Sequence, residues 1–231
     1  MDGGCFCERV AVPYRRVIRL PKQMEEEVGA MVEPTSVAVH VNRRSGLRRG
    51  MKVVVIGGGT IGLLIAQVAR AYGASRIVLS EPIAERRGIA ETLGFRLICN
   101  PQKEELPSFA QRTIGLADIV FDVVATRKTL EHGQSMLRPN GKLILVGIPS
   151  DKGLGVPYVP IYGKELQVIG SRTYFMEDFP EAIRLLNSKK MNVKPIISLI
   201  LPLERFAEGV ENLEKKPEKY VKVLIRPRPK A

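Results

Sequence analysis

The sequence predicts an α/β chain built on a doubly wound parallel sheet, and three observations carry that reading. From residue 52 to about 170, short apolar runs alternate with longer amphipathic ones, the pattern of parallel strands covered on both faces by helices. A glycine-rich turn, Gly57-Gly58-Gly59-Thr60-Ile61-Gly62, falls between the first of these strands and the first of these helices. The 231 residues are 45% apolar and 26% charged, as in soluble globular proteins, with no apolar run near the ~20 residues a membrane span needs.

Taken in order, residues 52–56 (KVVVI) read as a continuously buried strand. Residues 60–72 read as a helix that sets Ile61, Leu64, Ile65, Val68 and Ala69 on one face and stops at Gly73. A second strand spans 76–80 (RIVLS), a second helix 83–93 ends at Gly94, and a short third strand at 96–98 precedes the turn Asn100-Pro101. Then come a polar helix near 104–113, a fourth strand at 119–123 and a helix at 128–137. The turn Pro139-Asn140-Gly141 leads into a fifth strand at 142–146, a loop over 147–157 and a sixth strand at 165–170 (ELQVIG). Periodicity does not disclose the order of these strands in the sheet.

The flanks differ in character. Residues 1–33 read as two short strands, 6–12 and 16–20, and a polar turn. Residues 173–231 read as helix 177–188, strand 195–201, helix 203–214 and strand 220–225. Neither flank makes a complete domain, and the acidic, glycine-rich start MDGGCFCERV is no signal peptide. Three cysteines and two histidines are too few for a disulfide framework or a four-cysteine zinc module, so a reducing cytoplasm is the expected compartment. Cys5 and Cys7, two apart, are expected on one face of a strand in a packing role.

Thirty-six basic against 24 acidic side chains give a net charge of +12. The cations thicken at Arg43, Arg44, Arg48, Arg49 and Lys52, and again at Arg226, Arg228 and Lys230. With no nucleic-acid motif, no interleaved aromatics and no tryptophan, this charge reads as a solvated basic surface, and no nucleic-acid partner is expected. Arg43 and Arg44 also suit the C-terminal end of a helix.

The glycine turn carries the chemistry. In the spacing G-x-G-x-x-G between strand and helix, Gly57 permits the tight turn, Gly59 lets the backbone approach a pyrophosphate, and Gly62 lets helix pack on strand. The helix start at Thr60 and Ile61 offers unpaired N–H groups to phosphate. Glu81, 24 residues beyond Gly57 at the end of the second strand, is placed to accept hydrogen bonds from the adenosine ribose and to repel a 2′-phosphate. NAD is therefore expected over NADP, although Arg86 and Arg87 soften the repulsion.

The run Val32-Glu33-Pro34-Thr35-Ser36-Val37-Ala38-Val39-His40, then Arg43-Arg44, then 50–64, closely resembles the medium-chain, zinc-type dehydrogenases of the sorbitol, threonine and butanediol kind. Further blocks match in order at Asp2-Gly3-Gly4, Leu137-Arg138-Pro139-Asn140-Gly141-Lys142, Val146-Gly147-Ile148-Pro149, Asp178-Phe179-Pro180-Glu181-Ala182 and Val221-Lys222-Val223. The resemblance implies a Rossmann-like dinucleotide-binding domain over 34–172. It sits between a remnant of a GroES-like catalytic domain (1–33) and that domain's C-terminal part (173–231).

It also implies a zinc ion that polarises an alcohol or polyol for hydride transfer to the nicotinamide. Glu33 resembles the third zinc-ligand position. The family's catalytic cysteine and Gly-His-Glu segment lie before the point where this chain starts, so zinc is not expected on this chain alone, and Glu33 by itself would be a weak metal site. His40 is expected as a packed helix histidine. Carried-over cofactor contacts are Ile61 behind the nicotinamide, Arg86 beside the ribose, Val146 through its backbone near the carboxamide, and Lys222 near the pyrophosphate. Ala125 stands where the family often has glycine and the loop Thr126–Lys128 is shorter than the family's, so the family's adenine-side contacts are not carried over there, and pairing of cofactor domains through the sixth strand implies a homo-oligomer.

The leading expectation is therefore an NAD-binding oxidoreductase chain of this family, incomplete by itself, with a small alcohol or polyol as substrate. The second is an active enzyme whose missing lobe a partner chain supplies. The alternative from another class is a non-catalytic NAD-binding or nucleic-acid-binding protein.

Overall fold

A computed structural model describes residues 4–227; Asp2, Gly3, Arg228 and Lys230 of the sequence reading lie outside the described residues. Six strands form one sheet: β1 (Lys52–Ile56), β2 (Arg76–Ser80), β3 (Leu97–Cys99), β4 (Ala117–Asp122), β5 (Leu137–Leu145) and β6 (Gln167–Gly170). Their order is β3-β2-β1-β4-β5-β6 and every pairing is parallel. The order reverses between β1 and β4, which opens a crevice beyond the carboxyl ends of those strands.

The strands read as unbroken apolar runs because both faces are covered. In β1, Val53 and Val55 enter the core shared with α2 (Val32–Ser45), α3 (Thr60–Ala71) and α8 (Phe179–Asn187), whereas Val54 and Ile56 enter the core under α5 (Leu106–Ile114) and α6 (Arg127–Met136). Each fully buried aliphatic side chain contributes about 1.5–3 kcal/mol of transfer free energy. Two-residue periodicity distributes that gain over two separate cores. α4 (Ala84–Thr92) joins β2 to β3, and α7 (Tyr158–Lys164) precedes β6. α7 went unread in the sequence because its start, Tyr158-Val159-Pro160, has a proline inside its first turn and no capping side chain.

Beyond β6 the chain makes α8, then β7 (Ile197–Pro202), α9 (Phe206–Lys215) and β8 (Lys222–Arg226), with β7 and β8 paired in parallel as a second, two-stranded sheet. These elements fall within a few residues of expectation. The N-terminal flank does not. Instead of strands at 6–12 and 16–20 there is extended chain with one 3-10 turn at Tyr14–Arg16, then α1 (Glu26–Ala30). Pro13 interrupts the run. A strand also needs a ladder partner, and no described segment pairs with this one. Phe6, Val10, Val12, Tyr14 and Val17 are correspondingly exposed. The packing role expected for the nearby cysteines fails for the same reason: Cys5 is exposed and Cys7 only half-buried.

α2 ends as its sequence suggests, with Arg43 and Arg44 in the last turn and Gly46 in the left-handed region at φ 65°. Asp178 fixes α2 to the start of α8. One of its carboxylate oxygens meets His40 Nδ1 at 2.9 Å and the Phe175 N–H at 2.8 Å, and the other meets Arg43 Nη1 at 2.8 Å. His40 is thus a buried helix histidine, as expected. Among the described residues no helix is long and apolar enough to cross a membrane.

Candidate functional site

A cleft of about 640 Å³ opens at the carboxyl ends of β1, β2 and β4. Its floor is the glycine turn, where each glycine answers a different constraint. Gly57 takes φ 105°, a conformation L side chains rarely adopt, and donates its N–H to Ser80 O at 2.9 Å. A Cβ on Gly58 would stand 2.9 Å from Glu81 Cβ, and one on Gly62 would stand 1.8 Å from Gly57 O. Those two positions are glycine because the chain packs against itself there.

Gly59 is different. Its backbone is extended, and a Cβ there would find nothing closer than Arg86 Nη1 at 3.8 Å. The protein's own packing does not explain this glycine. It leaves a space directly in front of the first turn of α3, whose N–H groups have no capping side chain.

Glu81 forms one wall and is almost wholly buried. Its Oε2 accepts the Gly58 N–H at 2.8 Å and its Oε1 the Ile83 N–H at 2.9 Å. Two backbone donors thus fix the carboxylate's orientation and leave acceptor capacity on each oxygen. Arg87 turns away to the carbonyls of Glu81 and Pro82. Arg86 reaches across the mouth to Pro217 O at 2.8 Å, with its Nε buried and unpartnered. Thr60 Oγ1 donates to Val221 O at 2.9 Å, so residues 216–221 pass over the start of α3.

The opposite wall comes from Pro101 and Gln102 after β3, from Val124 and Thr126 after β4, where the family resemblance of the sequence points to adenine-side contacts, and from Lys128, Thr129 and His132 in α6, of which Thr129 and His132 are not marked by the sequence. Their only sequence signal is position, since each follows a strand end on the side where the glycine turn lies. Buried Asp122 organises the second loop. Its Oδ1 accepts the N–H groups of Val124 and Ala125, each at 3.0 Å, and its Oδ2 accepts Thr129 Oγ1 at 2.9 Å. This holds Ala125 at φ 61°, the left-handed conformation that explains why glycine would suit the position. His132 lies 3.1 Å from Glu105, and burial holds its pKa below the ordinary histidine value despite that carboxylate.

Seven of the nine residues expected to contact a cofactor line the cleft: Gly57, Gly59, Thr60, Ile61, Gly62, Glu81 and Arg86. Val146 and Lys222 stand outside the lining. The Val146 N–H donates to Asp122 O at 2.9 Å, and Lys222 opens β8. Glu33 lies apart, exposed in the first turn of α2. Beside it stands Tyr174, whose phenol is raised above its usual pKa by burial first, then by the charge and hydrogen bond of Glu33. Among the described residues no three His, Cys, Asp or Glu side chains gather where they could hold a metal ion.

Residues 60–188 match the family model for zinc-binding dehydrogenases. The 2-dehydro-3-deoxy-L-galactonate 5-dehydrogenase of Pseudoalteromonas atlantica is 34% identical over 93% of this chain and 63% of its own length. Human sorbitol dehydrogenase is 32% identical over 93% of this chain and 60% of its own. The alcohol dehydrogenase of E. coli CFT073, solved in complex with NADH, superposes with a TM-score of 0.85 at 25% identity, over 93% of this chain and 63% of that one. The chain therefore spans about three-fifths of the length of the relatives it matches, and it belongs to the zinc-binding dehydrogenase family.

Proposed function

We propose that this chain binds a nicotinamide dinucleotide, NAD in preference to NADP, in the cleft between β1, β2 and β4, and serves hydride transfer between that cofactor and a small alcohol or polyol. The observation that carries the reading is the unfilled space at Gly59 beside the uncapped start of α3, walled by a carboxylate whose two oxygens are already oriented. A pyrophosphate fits the first feature and ribose hydroxyls fit the second.

In this reading Gly57 and Gly62 shape the turn, while Gly59, Thr60 and Ile61 present N–H groups and space to the phosphates. The free lone pairs of Glu81 accept from the ribose, and its charge opposes a 2′-phosphate. Arg86, with an unpartnered buried Nε, supplies the cationic group at the same edge. Val146 and Lys222 enter only where a bound dinucleotide extends past the lined cleft. The cofactor supplies the hydride chemistry; the chain binds it, orients it and covers its phosphate end with residues 216–221.

Zinc fits less well. A catalytic zinc keeps three protein ligands and one open position, and no such set forms among the described residues, so no step is routed through a metal at Glu33. The division into a cofactor unit (34–172) and two catalytic-domain pieces (1–33 and 173–231) follows from the same family reading, as does pairing of two copies through the outer edge of β6. Three free cysteines suit a reducing cytoplasm.

The test is calorimetric titration of NADH and NADPH into the wild type and Glu81→Ala. Wild type is expected to prefer NADH. The variant should narrow the gap by about 1–3 kcal/mol, the scale of a charged hydrogen bond. Equal or tighter binding of NADPH to the wild type sinks the assignment of Glu81.

A further inference from the structure

Because every strand of the large sheet runs the same way, the residues that begin the strands share one end of the molecule, opposite the cleft. Four cations meet there. Lys52 and Arg76 are Cα partners at the first register position of β1 and β2, and Arg48 and Arg49 lie in the turn that leads into β1. That turn is stitched down: the Gly50 N–H donates to Gly73 O and the Ser75 N–H to Met51 O, each at 2.8 Å, and the Arg49 stem lies against Gly73. Arg96 stands just before β3, one strand further along.

These charges are uncompensated. Other cations at this end are spent: Arg138 on Asp118 at 2.7 Å, Lys142 on Ser45 O at 2.8 Å, and Arg43 on Asp178 at 2.8 Å. Asp118, the acid at the start of β4, is used up by Arg138 and the Lys52 backbone N–H. Among the described residues the side chains of Arg48, Arg49, Lys52 and Arg76 have no ion-pair or hydrogen-bond partner, and the three arginines are exposed. Like charges on neighbouring strands, about 4.8 Å apart, repel one another, and a bound anion would relieve that repulsion.

We propose that this end of the sheet binds the phosphate backbone of double-stranded nucleic acid, without reading its sequence. Three features select that occupant. A row of cations matches a row of phosphates, and arginine's forked donors suit phosphate oxygens. The patch carries no aromatic side chain, so it offers unstacked bases nothing and favours a closed duplex over a single strand. Its one exposed large apolar neighbour is Leu116, just before β4, and a single leucine is a poor anchor for a lipid surface.

The test is fluorescence anisotropy of a labelled 20-base-pair DNA duplex, its RNA counterpart and the single strands, titrated with the full chain at 50–200 mM salt. Four neutralised phosphates predict a log–log salt slope near −3.6 and roughly a hundredfold loss of affinity across that range. Both duplexes are expected to bind more tightly than the single strands. The triple variant Arg48→Gln, Arg49→Gln, Arg76→Gln should flatten the slope by about 2.7. A control of equal charge change elsewhere, Arg15→Gln, Arg16→Gln, Arg19→Gln, should leave it in place.

Saturating NADH is expected to leave duplex binding unchanged, which separates this surface from the cleft. Equal losses in the two triple variants would assign the binding to bulk charge and overturn the proposal, as would displacement by NADH. So would a wild-type slope shallower than −1, or equal competition by polyglutamate. Circular dichroism melting of the patch variant covers the purely structural alternative, that these arginines only complement helix C-termini. A cooperative fold with lost slope supports the proposal, and a lowered melting point with an unchanged slope refutes it.

Discussion

Gly59 and Gly62 sit three residues apart in one turn, yet replacing them should break different properties. A Cβ on Gly62 would stand 1.8 Å from Gly57 O, backbone that cannot swing aside. Relieving the clash means moving α3 off β1 by more than an ångström, into a core where Leu63, Leu64 and Ile65 are fully buried. Overpacking of this kind costs about 3 kcal/mol, and the roughly 1 kcal/mol that alanine gains over glycine within a helix offsets only part of it. At about 2–4 °C per kcal/mol for a chain of this size, Gly62→Ala should lower Tm by roughly 4–8 °C.

At Gly59 a Cβ meets nothing of the protein closer than the flexible end of Arg86 at 3.8 Å and the backbone keeps an allowed φ of −73°, so for Gly59→Val a poorer helix cap, about 0.5–1 kcal/mol, is the expected cost. Its methyls instead occupy the space in front of α3. A ligand at a hundred times its Kd stabilises the folded state by about 2.7 kcal/mol, or roughly 5–10 °C here. That upshift should be present in wild type with NADH and absent in Gly59→Val. Thermal melts with and without NADH, with circular dichroism as the check on folding, measure both halves. A Gly59→Val protein that keeps the upshift refutes the reasoning, and so does a Gly62→Ala protein as stable as wild type.

Three further outcomes follow from particular residues. Ala125 holds φ 61°, so Ala125→Gly should relieve about 1–2 kcal/mol of left-handed strain and return part of it as unfolded-chain entropy, for a net gain near ~0.5 kcal/mol; a loss of stability in urea unfolding would count against the strain. Burial lowers the His132 pKa, so the folded state binds fewer protons than the unfolded one. Stability should therefore be full above the ordinary histidine pKa and fall with pH down to the lowered folded value, a slope that His132→Gln should reduce in denaturant titrations at pH 5–8. Burial pushes the Cys99 thiol up to about 11, whereas Cys5 is exposed; native-state iodoacetamide should label Cys5 long before Cys99, and rapid labelling of Cys99 would show that β3 opens readily.

The parallel sheet was legible because its signals are local. KVVVI, RIVLS and the glycine turn each state their structure within a few residues, and the buried faces of β1 and β4 explain why apolar runs replaced alternation. The cleft's floor and the Glu81 wall came with them. The second wall came only as a shortened loop at 126–128, because Thr129 and His132 are ordinary helix residues until β4 is seen to lie beside β1. The N-terminal strands failed for a complementary reason: 6–12 and 16–20 have strand-like composition, but pairing is a property of two segments, and their side chains find only chance neighbours such as Phe6 against Phe206. Glu33 was found by resemblance alone, and nothing in its own surroundings converts it into a metal site.

The bonds from Thr60 to Val221 and from Arg86 to Pro217 join residues 161 and 131 positions apart. The floor of the cleft is complete once β1, α3 and β2 have met, all within about thirty residues of sequence, whereas its cover belongs to a stretch synthesised more than a hundred residues later. During translation the walls, complete once His132 is made, precede the cover by about eighty residues, and contacts of such high sequence separation are the slowest to form. Closure of the cleft's mouth is in this sense a late event of biosynthesis, set by the arrival of residues 216–221 and not by the folding of the sheet beneath them.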